Sequence, residues 1–274
     1  MFEVIWENLR TKNPLVHCIT NYVTVNDCAN ILLACGGSPI MADDAAEVED
    51  ITSICSGLNI NIGTLNVGTV ESMGKAGKRA NKLGHPVVLD PVGVGASALR
   101  TRTTFDLLEQ IQFTVIRGNS SEIKTVAQGS GTTKGVDANI MDATTDDNLD
   151  KVILYAKALS QKTGAVIAIT GAIDIVADSN KAYVIRHGHP MMSKITGTGC
   201  MLSAVIAAAC AANPEHVLDA TATAVCAMGL CGEAAYQKVL ETNGGTATFR
   251  VALIDAMSQL DGKTLERGAN IESR

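Results

Sequence analysis

Short β-branched runs alternate with longer helical stretches through most of this chain. That alternation restricts it to a sheet with helices on its faces. A run of four or five Val, Ile and Leu residues suits a strand buried on both faces, as in parallel sheets whose crossovers are helices. Strands are predicted at Leu15–Ile19, Ser38–Met41, Leu58–Ile62, Val87–Asp90, Thr114–Arg117, Val166–Thr170, Ile173–Ala177 and Ala182–Arg186. Helices are predicted near Val23–Cys35, Ala45–Ser56, Val67–Leu83, Thr103–Ile111, Ser121–Gln128 and Asp147–Thr163. Asp178-Ser179-Asn180-Lys181 reads as a hairpin turn between the last two strands, so an antiparallel edge is expected on a mostly parallel sheet. From Cys200 onward the sequence reads almost wholly helical, with a break at Asn213-Pro214. No Pro/Ser-rich linker or charge block divides the 274 residues, so residues 1–274 are expected to form a single α/β domain.

Composition narrows the function. Aromatic residues make up 3%, too few for the stacking platforms that hold single-stranded nucleic acid. A net charge of −6 argues against phosphate-backbone binding as the main task, so no nucleic-acid partner is expected. The 8 cysteines form no C-x-x-C pair and sit mostly among apolar residues, as buried thiols do in a reducing compartment. Met1–Trp6 is too short and too acidic for a leader peptide. The apolar stretch closest to a span free of charges and turn residues, Met201–Ala212, has the length of a core helix and not of a membrane span. A cytoplasmic protein without a membrane partner is the expectation.

The chemistry is concentrated in Thr196-Gly197-Thr198-Gly199-Cys200-Met201, between a strand-like run at Met191–Ile195 and a helix opening near Cys200. Two glycines permit a tight turn and close approach to a ligand. A helix start offers unpaired N–H groups to an anion. A thiol at that point is expected to ionise more readily than its reference value of about 8.5. The alternative is a glycine-rich turn that only packs against the sheet.

In an open α/β sheet, ligands bind at the carboxyl ends of the strands. Those ends carry Asn21, Met41, Asp90, Arg117, Asn119 and Thr170, with Glu122 one turn into the following helix. Taken singly, each has a structural reading: Asn21 and Asn119 as helix caps, Asp90 as a turn residue, Glu122 as a first-turn carboxylate, Met41 as core. Taken together, Asp90 and Glu122 suit Mg²⁺, and Arg117 suits phosphate. No Walker-type loop is present: Gly262-Lys263-Thr264 has its ending, but Met257 stands at the first glycine. Gly93-Val94-Gly95-Ala96-Ser97-Ala98 imitates a dinucleotide fingerprint, but Asp90-Pro91 intervenes and the next strand ends in Arg117 where an acid is required.

The ordered blocks Pro14-Leu15-Val16-His17-Cys18-Ile19-Thr20-Asn21, Gly37–Ala42, Asn61–Leu65, Leu89–Ala96, Ile116–Glu122, Ala168–Gly171 and Thr196–Cys200 resemble the hydroxyethylthiazole kinases, within the ribokinase-like superfamily. The resemblance runs nearly end to end. It implies a ribokinase-like fold, with a mostly parallel sheet flanked by helices on both faces. It also implies transfer of a phosphoryl group from ATP, with Mg²⁺, to the primary hydroxyl of 4-methyl-5-(2-hydroxyethyl)thiazole. By the same resemblance Arg117 and Thr170 contact ATP, and Met41 and Gly197 contact the thiazole, with Asn21 nearby. Asn119–Glu122 resembles the superfamily's N-x-x-E element, and Asp90 is a metal or water-shell partner. Cys200 stands where most relatives in the superfamily carry an aspartate base. A homotrimer is implied as well. The rival readings are another ribokinase-like alcohol kinase, a nicotinamide-dependent oxidoreductase using Gly93–Ala98, and a binding module without turnover.

Overall fold

The computed structural model describes residues 1–129 and 143–274. Among the described residues nine strands form one sheet in the order β2-β1-β3-β4-β5-β6-β7-β8-β9. The first six are β1 (Leu15–Ile19), β2 (Ser38–Ile40), β3 (Gly57–Asn61), β4 (Val87–Asp90), β5 (Val115–Asn119) and β6 (Val166–Thr170), all parallel to their neighbours. The remaining three, β7 (Asp174–Ala177), β8 (Ala182–Ile185) and β9 (Ile271–Ser273), extend the sheet in antiparallel fashion. The expected hairpin joins β7 to β8, and Asp178 Oδ1 accepts the N–H groups of Asn180 and Lys181, each at 2.7 Å.

The helices divide cleanly between the two faces. One face carries α1 (Phe2–Lys12), α2 (Val25–Cys35), α8 (Thr198–Ala212), α9 (Val217–Thr242), α10 (Thr246–Gln259) and α11 (Gly262–Gly268). The other carries α3 (Val48–Ile54), α4 (Val67–Leu83), α5 (Ala98–Gln110), α6 (Ser120–Gly129) and α7 (Leu149–Thr163). Strand side chains alternate between the two cores: Val88, Val115 and Ala168 meet the α8 side, while Leu89, Ile116 and Ile169 meet the other. That period of two has a consequence for the strand ends. Asp90, Arg117 and Thr170 lie one or two residues beyond those positions, and all three fall on the α8 face.

α8 is the central helix of that face, and most of its residues are buried. Its alanines let it lie close on β3 and β4. α9 is long and apolar enough to pass a membrane-span test by composition, yet 67% of the window concerned is buried inside the fold, as in a core helix.

One expectation is corrected. Met191–Ile195 is not a strand: Pro190–Lys194 forms a 3-10 turn whose entry is capped by His189, which accepts the Met191 N–H at 3.1 Å. Pro190 at the first position favours that turn, and its apolar residues pack against α9 and α10 instead of a ladder. The helix after it opens at Thr198, near Cys200 as expected, with Gly197 as its N-cap. The C-terminal segment is almost wholly helical, as expected, and ends in β9, which closes the antiparallel edge. Sequence reasoning also passed over α1, although Ile5, Trp6 and Leu9 form its buried stripe.

Trp6 locks that first helix onto the end of the chain. It is fully buried, and its Nε1–H donates to Leu260 O at 2.9 Å; Arg10 Nη1 donates to the same oxygen at 3.2 Å. Trp6→Phe is expected to lower unfolding stability by about 1 kcal/mol, because Leu260 O keeps its second donor. Trp6→Ala is expected to cost about 3–5 kcal/mol through the cavity it leaves. Urea titrations followed by circular dichroism check both values.

Candidate active site

The sheet order 2-1-3-4-5-6 reverses direction between β1 and β3, the kind of switch point at which an open α/β sheet forms its ligand crevice. Gly197 and the start of α8 close over this crevice. Gly197 has φ +89, and a Cβ there would stand 2.7 Å from Thr24 Cγ2, so both its backbone conformation and its contact with the first turn of α2 require glycine. Gly199 lies directly against the Arg117 guanidinium, where a Cβ would collide with Nη1. The turn's two glycines therefore bring a helix start into contact with a cation from β5.

Beneath the turn lies Asp90, which has no exposed surface. Its Oδ2 accepts from Asn61 Nδ2 at 2.8 Å and from Ser203 Oγ at 2.9 Å. Its Oδ1 has no hydrogen bond and lies 3.6 Å from Arg117 Nη1. Burial pushes the Asp90 carboxyl above the usual carboxylate range; Arg117, Asn61 and Ser203 oppose this, while Glu122 reinforces it. Arg117 Nη2 donates to Thr170 Oγ1 at 2.6 Å, which ties β5 to the end of β6.

The network continues toward β1. Asn21 Nδ2 donates to Asn61 Oδ1 at 3.0 Å and to Cys200 Sγ at 3.3 Å. Asn61 Oδ1 also takes the Gly63 N–H at 2.8 Å. One connected set of side chains thus runs from Cys200 through Asn21, Asn61 and Asp90 to Arg117 and Thr170.

Cys200 is the third residue of α8 and is 8% exposed. Here the expectation of an easily ionised thiol is corrected. Burial pushes the Cys200 thiol above its ordinary value, and the Asp90 charge adds to the effect; hydrogen bonds from Thr24, Asn21 and Asn61 only moderate it. Desolvation outweighs the helix terminus.

Glu122 braces the site from the far side. Asn119 and Glu122 form a capping box at the start of α6: Glu122 N donates to Asn119 Oδ1, and Asn119 N to Glu122 Oε2, both at 2.9 Å. Glu122 Oε1 accepts the Gly93 N–H at 2.9 Å, which pins the turn that follows Asp90. The glycines of Gly93–Ala98 accordingly serve this turn and the Ser97 cap of α5. Met41 follows β2, partly buried against the α8-side core.

Beside Arg117 and Thr170 opens a cleft of about 540 Å³, walled also by Asp174, Met192, Leu202 and Met228. Its inner end meets α8, where the N–H groups of Thr198, Gly199 and Cys200 precede the first intrahelical bond, Met201 N to Gly197 O at 2.8 Å. An anion at that end meets a guanidinium and a helix N-terminus together, and the apolar walls suit a flat ring further out. Among the described residues no cluster of three or more His, Cys, Asp or Glu side chains could cage a metal by itself.

Sequence reasoning placed Asn21, Asp90, Arg117, Thr170, Gly197 and Cys200, and the structure brings them together. It missed Asn61 and Ser203, whose signal was a polar side chain at a position that periodicity assigns to the core. It also missed Asp174, a carboxylate opening an otherwise apolar strand.

The sequence profile of the Hydroxyethylthiazole kinase family matches residues 6–263. Curated hydroxyethylthiazole kinases are similar throughout: that of Clostridium acetobutylicum is 65% identical over 267 residues, covering 97% of each chain. That of Desulfovibrio desulfuricans is 50% identical over 99% of this chain and 98% of its own. Among solved structures, hydroxyethylthiazole kinase protein from Pyrococcus horikoshii superposes with a TM-score of 0.87 at 32% identity, covering 100% of this chain and 98% of that one. Staphylococcus aureus pyridoxal kinase in complex with AMP-PCP and pyridoxal shares the fold, with a TM-score of 0.53 at 15% identity over 78% of this chain and 86% of its own.

The suppressed ionisation of Cys200 has a direct readout. Peptide-mapped alkylation by iodoacetamide at pH 7.5 is expected to be at least about tenfold slower at Cys200 in the folded protein than at a free cysteine. A rate equal to or faster than the free thiol would contradict the burial account.

Proposed function

The chain belongs to the hydroxyethylthiazole kinase family, and we propose that it phosphorylates the primary hydroxyl of 4-methyl-5-(2-hydroxyethyl)thiazole with ATP. The observation carrying this reading is the position of Cys200. Its thiol stands between Asn21, on the crevice side, and Asp90 and Arg117, on the cleft side. An alcohol beside the thiol would face a phosphoryl group held at the start of α8.

Each residue then has a task. Arg117 takes phosphate charge, and its contacts with Asp90 and Thr170 hold the guanidinium in place. The backbone N–H groups at the start of α8 receive the charge that spreads over the transferring phosphoryl group. Met41, Gly197 and Asn21 line the thiazole end. Cys200 orients the hydroxyl; its thiol, kept protonated by burial, is a poor base at neutral pH. Phosphoryl transfer tolerates this because positioning and charge stabilisation carry most of the catalysis.

Asp90 and Glu122 fit a magnesium ion that draws most of its ligands from phosphate and water. Asp90 Oδ1 is free of hydrogen bonds, and Glu122 lies close enough to raise the Asp90 pKa. Held there with ATP, such an ion would offset phosphate charge. The assembly is a homotrimer in this reading, on the strength of the family resemblance. Exposed Tyr22, Val23 and Val67, flanking Thr64 at the crevice end, offer apolar surface for it.

An ATP-consumption assay with the thiazole alcohol, pyridoxal, and a panel of sugar and pyrimidine alcohols tests the assignment. The thiazole is expected to be the preferred acceptor; turnover of another alcohol with none of the thiazole would overturn it. Arg117→Lys, which loses the forked contact with Asp90 and Thr170, is expected to lower kcat/KM by about 100-fold.

A further inference from the structure

Asp174 opens β7 and lines the same cleft as Arg117, Thr170 and Gly199. Strand alternation turns it toward α9, on the face of Val176, while Ile175 and Ala177 meet α7. Its Oδ1 accepts the Gly171 N–H at 2.8 Å and closes the turn that follows Thr170. Its Oδ2 has no hydrogen-bond partner among the described residues, and the residue is only 9% exposed. An ionised carboxylate there is poorly hydrated, and in a cleft that receives a polyphosphate it meets like charge.

Burial pushes the Asp174 carboxyl up to about 7, against the smaller opposing effects of the Gly171 N–H and Arg117. Of the other titratable groups nearby, His187 and His189 after β8 line the cleft, while Asp90 behind Arg117 and Cys226 and Glu233 on α9 lie outside its lining. Arg117 is shared with Asp90 and Thr170, and Glu233 is engaged by His187 and the Gly188 N–H. No cation among these is dedicated to Asp174.

We propose that Asp174 joins the nucleotide complex as a neutral carboxylic acid, its Oδ2–H donating a hydrogen bond to an oxygen of bound ATP while Oδ1 keeps the Gly171 turn closed. The inference rests on the ATP reading of the cleft. The sign follows from the raised value. Below about pH 7 the acid is already neutral, and binding needs no proton. Above it a proton must be taken from solvent, so affinity falls as pH rises, by up to about tenfold per pH unit.

Calorimetric Kd values for Mg·ATP between pH 6 and 8.5, for the wild-type chain and for Asp174→Asn, test this. Asparagine keeps an acceptor for Gly171 and an N–H donor for the nucleotide but does not titrate. The wild-type Kd is expected to rise about tenfold or more relative to that of the variant across the range. Titration of ATP itself is common to both proteins and cancels in the ratio. Parallel pH profiles would overturn the assignment and leave the nucleotide site standing. Absence of Mg·ATP binding by both proteins at every pH would overturn the kinase reading and this inference with it. Should Asp174→Asn fail to fold, proton uptake by the wild-type chain at pH 8, measured in buffers of unequal ionisation heat, decides: uptake approaching one proton supports the assignment, and none overturns it.

Discussion

A carboxylate with no exposed surface is tolerable only where hydrogen bonds and a cation replace water, and Asp90 obliges the surrounding fold to supply both. Asn61 reaches it from β3, Ser203 from the second turn of α8, and Arg117 from β5. These contacts fix the rotation of α8 over the sheet, because Ser203 can meet Asp90 only if the helix start points at the strand ends. Once α8 is so placed, Cys200 falls beside Asn21, and Gly199 lies on the guanidinium. The polar network thus determines both the register of the central helix and the geometry of the site.

The same network settles what the thiol can do. A helix N-terminus favours a thiolate, but at Cys200 the loss of water and the neighbouring Asp90 charge outweigh it. A neutral thiol that accepts a hydrogen bond from Asn21 suits the positioning role proposed for Cys200. An aspartate at this point would set a second carboxylate near Asp90. A cysteine avoids that repulsion at the cost of base strength, a workable exchange in a reaction governed by positioning and charge stabilisation.

The strands were legible because runs such as Val87–Leu89 and Val166–Ile169 are buried on both faces and carry no interruption. With a parallel sheet in hand, the strand-end residues Asn21, Asp90, Arg117 and Thr170 followed from topology alone. What was not legible depends on distant partners. β9 is three residues long, has no periodicity, and exists because β8 offers it an edge. Met191–Ile195 has the composition of a strand, but Pro190 and the faces of α9 and α10 make it a turn. Ser203 in an alanine-rich helix reads as a small packing residue until Asp90, far away in sequence, is seen beneath it. The direction of the Cys200 shift has the same origin: local sequence gives the helix terminus, and tertiary structure gives the burial and the charge that override it.

A structure of the chain with a non-hydrolysable ATP analogue, Mg²⁺ and the thiazole alcohol tests the central claim most directly. The account predicts the terminal phosphate between Arg117 and the N–H groups at the start of α8, with the acceptor hydroxyl beside Cys200 Sγ. Phosphates bound away from Arg117, or a hydroxyl out of reach of the thiol, would contradict it.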